Sequence, residues 1–419
     1  MSRRENIISN LDWLSILLYA LLVVFGWLSI FSASFSEQDT GIFDLSTRYG
    51  KQAVWIGLAI LLGIAVLLTD AKFFSAFALW IYVLMLLLLV LVLIFGKEVG
   101  GSRSWIVLGP VSLQPSEFTK FATALAVAWY LSLLNIDLHK LSTRIIASVI
   151  VIIPAALILA QNDTGSALVY MAFVLVLFRE GLSGSIIVLG LWFTLLFVIT
   201  LLFGEYYISA GLVVVSLLLL LLSGKLKRKW RWVLTALVFS VGFVFMVEHV
   251  FENVLEPHHK KRINVLLGIE QDLKGAGYNV NQSMIAIGSG GLTGKGFKQG
   301  MLTRYEFVPE QATDFIFCTV GEEWGFIGSS VVILIFLMLL IRIVFLAERQ
   351  RSGFSKIYGY GVASILFFHF AVNIGMTIGL APVVGIPLPF FSYGGSSLWA
   401  FTILFFIFIK QDANRLNVL

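Results

Sequence analysis

FFSAFALWIYVLMLLLLVLVLIFG, residues 73–96, runs its whole length without a charged side chain. The hydrocarbon core of a bilayer is about 30 Å thick and takes roughly 20 apolar residues of helix to cross. Only a helix or a closed barrel satisfies its own backbone there, so the stretch reads as a membrane-spanning helix. The same ruler finds eleven more spans, at 12–34, 52–69, 117–134, 144–161, 165–181, 184–204, 206–223, 231–250, 314–344, 357–380 and 395–410. The 419 residues are 59% hydrophobic and 13% charged, against about 45–50% and about 25% in soluble domains. That composition excludes a water-soluble enzyme, a secreted disulfide scaffold and a disordered tail. A single cysteine, Cys318, excludes an internal disulfide and a cysteine-rich zinc site. The expected fold is an all-α polytopic membrane protein, one integral membrane domain over 1–419.

Arg3 and Arg4 precede the first span with no small-residue cleavage pattern after it, so that span reads as a retained helix. Twelve spans put both termini on one side. The ends and loops of that side hold most of the Lys and Arg, including the cluster KLKRKWR at 225–231. The other side, outside its one long loop, holds only Arg48, Lys51, Lys97, Arg103 and Lys120. Positive charge stays inside, which predicts cytoplasmic termini. The cluster at 225–231 then serves orientation and attraction to anionic lipid. Two outward segments remain, 97–116 and the large loop 251–313, and function is expected on that outer face.

Charges within spans are costly and are the first candidates for function. Glu117 and Lys120, in QPSEFTK, stand three apart on one helix face. They suit a local ion pair or a charged lining to an outward cavity, and Ser116 suits the helix cap. Asp314 opens a span where the long loop meets the membrane, and it suits either a functional carboxylate or a cap, a role for which Thr313 competes. Glu322 and Glu323 lie deeper. At helical spacing Glu322 is about 80° around from Asp314, with Glu323 on the opposite face; Lys120 and the Arg103 loop are candidate partners. The glycines of AIGSGGLTGKGF, 286–297, fit no nucleotide motif, yet with Lys295 and Lys298 they suit either a phosphate or a flexible loop. PVVGIPLPFFSYGGSS, 382–397, carries too many prolines and glycines for a regular helix, so it must be buried or line a cavity. Asp163 and Thr164 read as a helix cap. His258 and His259 read as polar surface, no histidine cluster has transition-metal spacing, and carboxylate oxygens suit a hard divalent cation.

RSWIVLG with QPSEFTK, NQSMIAIGSGGLTGKGF, FVPEQATDFIF with GEEWGFIG, and PVVGIPLPFFSYGGSS occur in this order along the chain. On these motifs it resembles the SEDS family of bacterial cell-wall proteins, RodA and FtsW, over nearly its whole length, and IGSGG followed by GKG resembles the RodA, or elongation, branch. The resemblance implies a SEDS-type helical bundle and a peptidoglycan glycosyltransferase that polymerises lipid II on the outer face of the cytoplasmic membrane. It implies an essential carboxylate at Asp314 and substrate-binding roles for Arg103, Trp105, Glu117 and Lys120, with Ser392 and Gly394 of the last motif beside them. It implies lipid II and the growing glycan strand as ligands, and a class B penicillin-binding protein and other elongation-complex membrane proteins as partners. No nucleic acid and no organic cofactor are expected. The family usually has ten spans, so an extra helix pair is placed at 206–250. QNDTGS stands for the usual QPDLGT, and Gln311 and Ala312 stand where the family commonly has a basic residue and a histidine.

In the expected chemistry the acceptor 4-hydroxyl loses a proton as it attacks the anomeric carbon of the pyrophosphate-linked donor. Asp314 is the candidate general base or the ligand of an activating divalent cation, Mg or Mn. Arg103, Lys120 and Lys295 are candidates to stabilise the departing pyrophosphate. Asp163, Glu322 and Glu323 are expected to support the site. Displacement from an α-linked donor to a β-linked product is inverting and needs no second carboxylate. The alternatives are a lipid II flippase or transporter, a division-type polymerase, or a non-enzymatic scaffold.

Overall fold

A computed structural model describes residues 10–35, 44–222 except 100, 110 and 135, then 228, 230–253, 260, 261, 263, 264, 267 and 269, and finally 276–305 and 307–416. Ten of the described helices are long and apolar enough to cross a membrane. Two of the twelve expected spans fall short. Segment 117–134 folds as α5, Pro115–Leu131, which is almost wholly buried and carries Glu117 and Lys120 in its opening turns. Segment 165–181 breaks into α7 (Thr164–Leu168), a 3-10 turn (Val169–Ala172) and α8 (Phe173–Arg179). At about 1.5 Å of rise per residue, neither reaches across a full hydrocarbon core.

The chain divides into two compact units, Met1–Gly181 with Asn279–Leu419, and Leu182–Tyr278. The first unit opens with α1 (Trp13–Ser34), α2 (Arg48–Leu68), α3 (Ala71–Ala76) and α4 (Ala78–Phe95). Asp12 caps α1 by accepting from the Ser15 amide at 3.1 Å, and Thr47 caps α2 through the Gly50 amide at 3.1 Å. Both side chains satisfy amides that the first helical turn leaves unbonded. After α6 (Leu141–Ala160), α7 and α8, the unit resumes with the body of α12 (Ala276–Ser289), a short α13 (Met301–Arg304), α14 (Ile316–Glu348), α15 (Gly353–Thr377) and α16 (Gly395–Ala413). α16 packs on α2 and α5, and α15 on α14 and α5. α15 and α16 bury most of their side chains. These two helices form the middle of the unit, and segment 382–394 connects them.

Segment 97–116, expected as a loop, folds into a three-stranded antiparallel sheet: β1 (Lys97–Val99), β2 (Ser102–Leu108) and β3 (Val111–Leu113). Lys97 pairs with Trp105, Glu98 with Arg103, and Ile106 with Leu113. The β-branched and aromatic residues of SRSWIVL suit a strand.

The second unit holds α9 (Gly184–Phe203), α10 (Glu205–Leu222) and α11 (Trp230–Asn253). The indole of Trp192 donates to the Ser240 hydroxyl at 3.1 Å, and the Phe193 and Phe243 rings lie 4.6 Å apart. α10 buries none of its side chains. The pair expected at 206–250 corresponds to α10 and α11. Within 251–313 the described residues include α12 and α13; His258 and His259 lie outside them, as does most of 225–231.

Candidate active site

Asp314 sits in the turn 309–315, ahead of α14, whose cap position is Phe315 without a side-chain bond. It is neither cap nor helical residue, and its expected angular relation to Glu322 does not apply. Thr313 instead turns its hydroxyl back to the Glu310 carbonyl at 3.1 Å. The amides of Thr313, Asp314 and Phe315 all donate to that same carbonyl. Glu310 takes a φ of 53°, the left-handed conformation that closes such a turn.

The irregular segment 382–394 lies directly against this turn. No helix forms between Thr377 and Gly395, as its prolines and glycines dictate. Gly385, at φ 70°, brings its backbone so close that a side chain there would begin 3.3 Å from Asp314 Oδ2. Tyr393 donates its amide to the Ala312 carbonyl at 2.8 Å. Gln311, standing where the family commonly has a basic residue, is buried and donates its side-chain amide to the carbonyls of Thr303 and Ala33, at 2.6 and 3.2 Å. Burial pushes the Tyr393 phenol above its ordinary value, with Arg48 opposing.

Glu117 and Lys120 form the expected ion pair, 2.6 Å apart and buried. Lys120 Nζ also lies 3.0 Å from His369 Nε2. His369 and Asn373, on α15, carry the connection to 382–394 through the carbonyls of Pro387 and Ile386. Both were missed in the sequence. The signal was present, since two polar residues four apart inside span 357–380 must face the bundle interior.

Ser116, expected as a cap, is not one: α5 starts at Pro115 with Gln114 in the cap position. The Ser116 hydroxyl points to Asp163 at 3.3 Å, and the Gln114 amide group donates to the same Oδ2 at 3.0 Å. Asp163 does cap α7, accepting from the Ser166 amide at 3.0 Å. The Ser396 hydroxyl joins the two ends of this patch, accepting from the Gln114 amide at 3.2 Å and donating to the Ser112 carbonyl at 3.1 Å. Arg103 donates its own amide to the Gln161 carbonyl at 2.9 Å, with its side chain exposed and Trp105 half-buried. The residues singled out in 97–116, 161–166 and 382–397 are thus tied together by short bonds.

Ser392 and Gly394 have structural duties. The Ser392 hydroxyl accepts from the Leu388 amide at 2.9 Å, and the Gly394 amide donates to Gln52 Oε1 at 3.2 Å. Lys295 is bound to Glu322 at 2.7 Å, and Glu322 also accepts from the amides of Leu302 and Thr303, at 3.0 and 2.9 Å. Glu323 accepts from the Ser32 hydroxyl and from the Lys298 amide. The two glutamates therefore have internal partners, but these are not Lys120 or the Arg103 loop.

The glycine stretch is not a free loop and packs against α14. α14 breaks at Gly325, φ 62° and ψ −158°, and residues 290–296 fill the break. Lys295 and Gly296 donate their amides to the carbonyls of Glu322 and Glu323, at 3.0 and 2.9 Å. The amides of Phe326 and Ile327 donate in turn to the carbonyls of Gly291 and Leu292, at 2.9 and 3.1 Å. In an unbroken helix Phe326 and Ile327 would bond to Glu322 and Glu323. The loop supplies all four missing partners, and the amides of Lys295 and Gly296 are spent on the helix.

A divalent cation would find one carboxylate at Asp314, and the described residues hold no group of three or more acidic, histidine or cysteine side chains suited to a metal. One carboxylate fits an ion such as Mg, which keeps several waters and takes its other ligands from substrate phosphates.

Comparison with known proteins gives the family. The family model for cell cycle proteins of the FtsW, RodA and SpoVE type matches residues 12–211 and 186–416. The chain is 34% identical to the peptidoglycan glycosyltransferase RodA of Treponema pallidum, covering 98% of this chain and 99% of that one. It is 33% identical to the peptidoglycan glycosyltransferase MrdB of Escherichia coli, over 93% of this chain and 90% of that one. Among solved structures it resembles the rod shape determining protein RodA of Thermus thermophilus, with a TM-score of 0.62, 25% identity and 97% of each chain covered. It also resembles a chain from work on the coordination of polymerization and crosslinking by a peptidoglycan synthase complex, with a TM-score of 0.70, 25% identity, and 97% of this chain and 99% of that one covered.

Proposed function

The chain belongs to the FtsW, RodA and SpoVE family and is a peptidoglycan glycosyltransferase, and from that premise we propose that it polymerises lipid II with Asp314 as general base. The observation that carries this reading is the Asp314 carboxylate beside Gly385, on a turn tied down by bonds from the buried Gln311 and Asn373 and the half-buried Tyr393. A carboxylate so placed takes the proton from the acceptor 4-hydroxyl as that oxygen attacks the anomeric carbon. The donor's bond to pyrophosphate breaks as the new glycosidic bond forms, and the leaving group carries away the electron pair. Arg103, exposed on β2, is the cation offered to that developing charge. Lys120 and Lys295 are each bound to a glutamate, and they support the site by fixing its frame. Direct displacement inverts the anomeric centre. A divalent ion, when bound, would be held by Asp314 and would supply positive charge to the leaving group.

The distribution of Lys and Arg favours a multi-pass protein of the bacterial cytoplasmic membrane with cytoplasmic termini, and hence a site that faces outward. The likeness to a chain of a peptidoglycan synthase complex supports a class B penicillin-binding protein as crosslinking partner. The test is polymerisation of lipid II by the purified chain, alone and with its partner, with and without Mg or Mn. The native protein should give glycan ladders on a gel, and Asp314→Ala should give none. Ladders from Asp314→Ala would discard Asp314 as the base.

A further inference from the structure

His369 and Asn373 are fully buried and one helical turn apart, and the chemistry above leaves both unused. His369 stands between two groups that fix its hydrogen. The Lys120 ammonium, paired with Glu117, can only donate, so His369 Nε2 accepts from it at 3.0 Å. The ring hydrogen is then on Nδ1, which donates to the Pro387 carbonyl at 3.1 Å. Asn373 is as constrained. Its amide nitrogen lies 2.8 Å from the Asp314 carbonyl and 2.8 Å from the Ile386 carbonyl, and neither oxygen can donate. Its Oδ1 is left buried without a hydrogen-bond partner, as is Glu117 Oε2.

Segment 382–394 needs such support. It is not helical, and Pro382, Pro387 and Pro389 bring no backbone donors. Consecutive carbonyls at 386 and 387 are therefore gripped from one face of α15. One grip passes on to the Asp314 main chain and the other to the Glu117–Lys120 pair. We propose that His369 and Asn373 are positioning residues for glycosyl transfer: they lock the Gly385–Pro387 segment against Asp314 so that its carboxylate keeps one place through the reaction. This inference rests on the reading of Asp314 as the base. Neither side chain acts on substrate directly.

The test uses the full chain in detergent, with initial rates measured against lipid II and monodispersity checked by gel filtration. Losing the Asn373 grip should lower kcat by about 30–100-fold and leave KM within about threefold, because misplacement by an ångström costs rate rather than binding. Two amides divide the His369 link. In His369→Asn the side-chain nitrogen takes the place of Nδ1 and still reaches Pro387, whereas in His369→Gln the terminal amide takes the place of Nε2 and reaches only Lys120. His369→Asn should stay within about fivefold of native kcat and His369→Gln should fall more than about tenfold. If Asn373→Ala does not fold, Asn373→Asp carries the test, because it keeps the shape with at most one donor. Native kcat in the Asn373 variants, or a raised KM at native kcat, overturns the inference, as does His369→Gln outperforming His369→Asn. Asp314→Ala is assayed alongside. If it is dead while the Asn373 and His369 variants are native-like, the positioning role alone fails. If it is active, the base assignment fails and the positioning role falls with it.

Discussion

Gly291 and Gly294 both take left-handed backbone, at φ 59° and 80°, yet their surroundings differ. A side chain on Gly291 would meet nothing within 4 Å, whereas one on Gly294 would begin 2.1 Å from the Glu323 carbonyl oxygen and 2.6 Å from the Trp324 Cα. Alanine at either position carries the same conformational penalty, about 1–2 kcal/mol. At 294 the loop must also retreat by about 1 Å to reach ordinary contact. The bonds from Lys295 to Glu322 and from Gly296 to Glu323, at 3.0 and 2.9 Å, would then be stretched out of range. Two buried backbone pairs left unsatisfied cost about 1–3 kcal/mol each. Gly294→Ala should thus exceed Gly291→Ala by about 2–6 kcal/mol. Reversible unfolding in mixed detergent micelles measures the difference, with helix content by circular dichroism as the signal. Equal destabilisation within about 1 kcal/mol would refute the account of loop and helix sharing their backbone bonds.

Three further outcomes follow from the same geometry. Glu322→Ala strands the Lys295 ammonium and two backbone amides, and should cost about 3–5 kcal/mol in the same unfolding measurement; a loss under 1 kcal/mol contradicts it. Asp412→Ala removes the partner of Arg349, at 2.5 and 3.0 Å, and of Gln350, at 2.7 Å. The Asp412 carboxylate accepts from side chains alone and strands no backbone amide, so this loss should be smaller, about 2–3 kcal/mol, with the glycan ladder of the folded fraction unchanged. Arg103→Ala should leave stability within about 0.5 kcal/mol while polymerisation slows; a fully native rate would remove Arg103 from the leaving-group role.

The spans were legible because a membrane fixes the length of an apolar helix. The two that fall short were overestimated because composition reports apolarity and not its burial: α5 is apolar because it is interior, and its charges are paired. The sheet at 97–113 had its markers, β-branched residues and a Gly-Pro pair in the sequence at 109 and 110, but sits between helical runs that invite reading it as a connector. Asp314 and 382–397 were each visible alone, the one as a charge at a boundary and the other as a broken helix. Their meeting depends on Asn373, which a single sequence cannot pair with residues 13 and 59 positions away. The glycines at 290–296 were read for what they could bind. Their use in the fold depends on Gly325, and nothing in the linear string says that α14 is interrupted there.

That interruption has a consequence for how the protein is made. The bonds that complete α14 come from residues 290–296, which leave the ribosome before the helix that needs them. As the first turns of α14 emerge, the patch for its break already exists, and nothing downstream is required. The four bonds that bridge the break are between main chains, and the side chains of Leu292 and Thr293 stay exposed and take no part in them. The cell can therefore revise the face this loop presents without revisiting the assembly of the helix behind it.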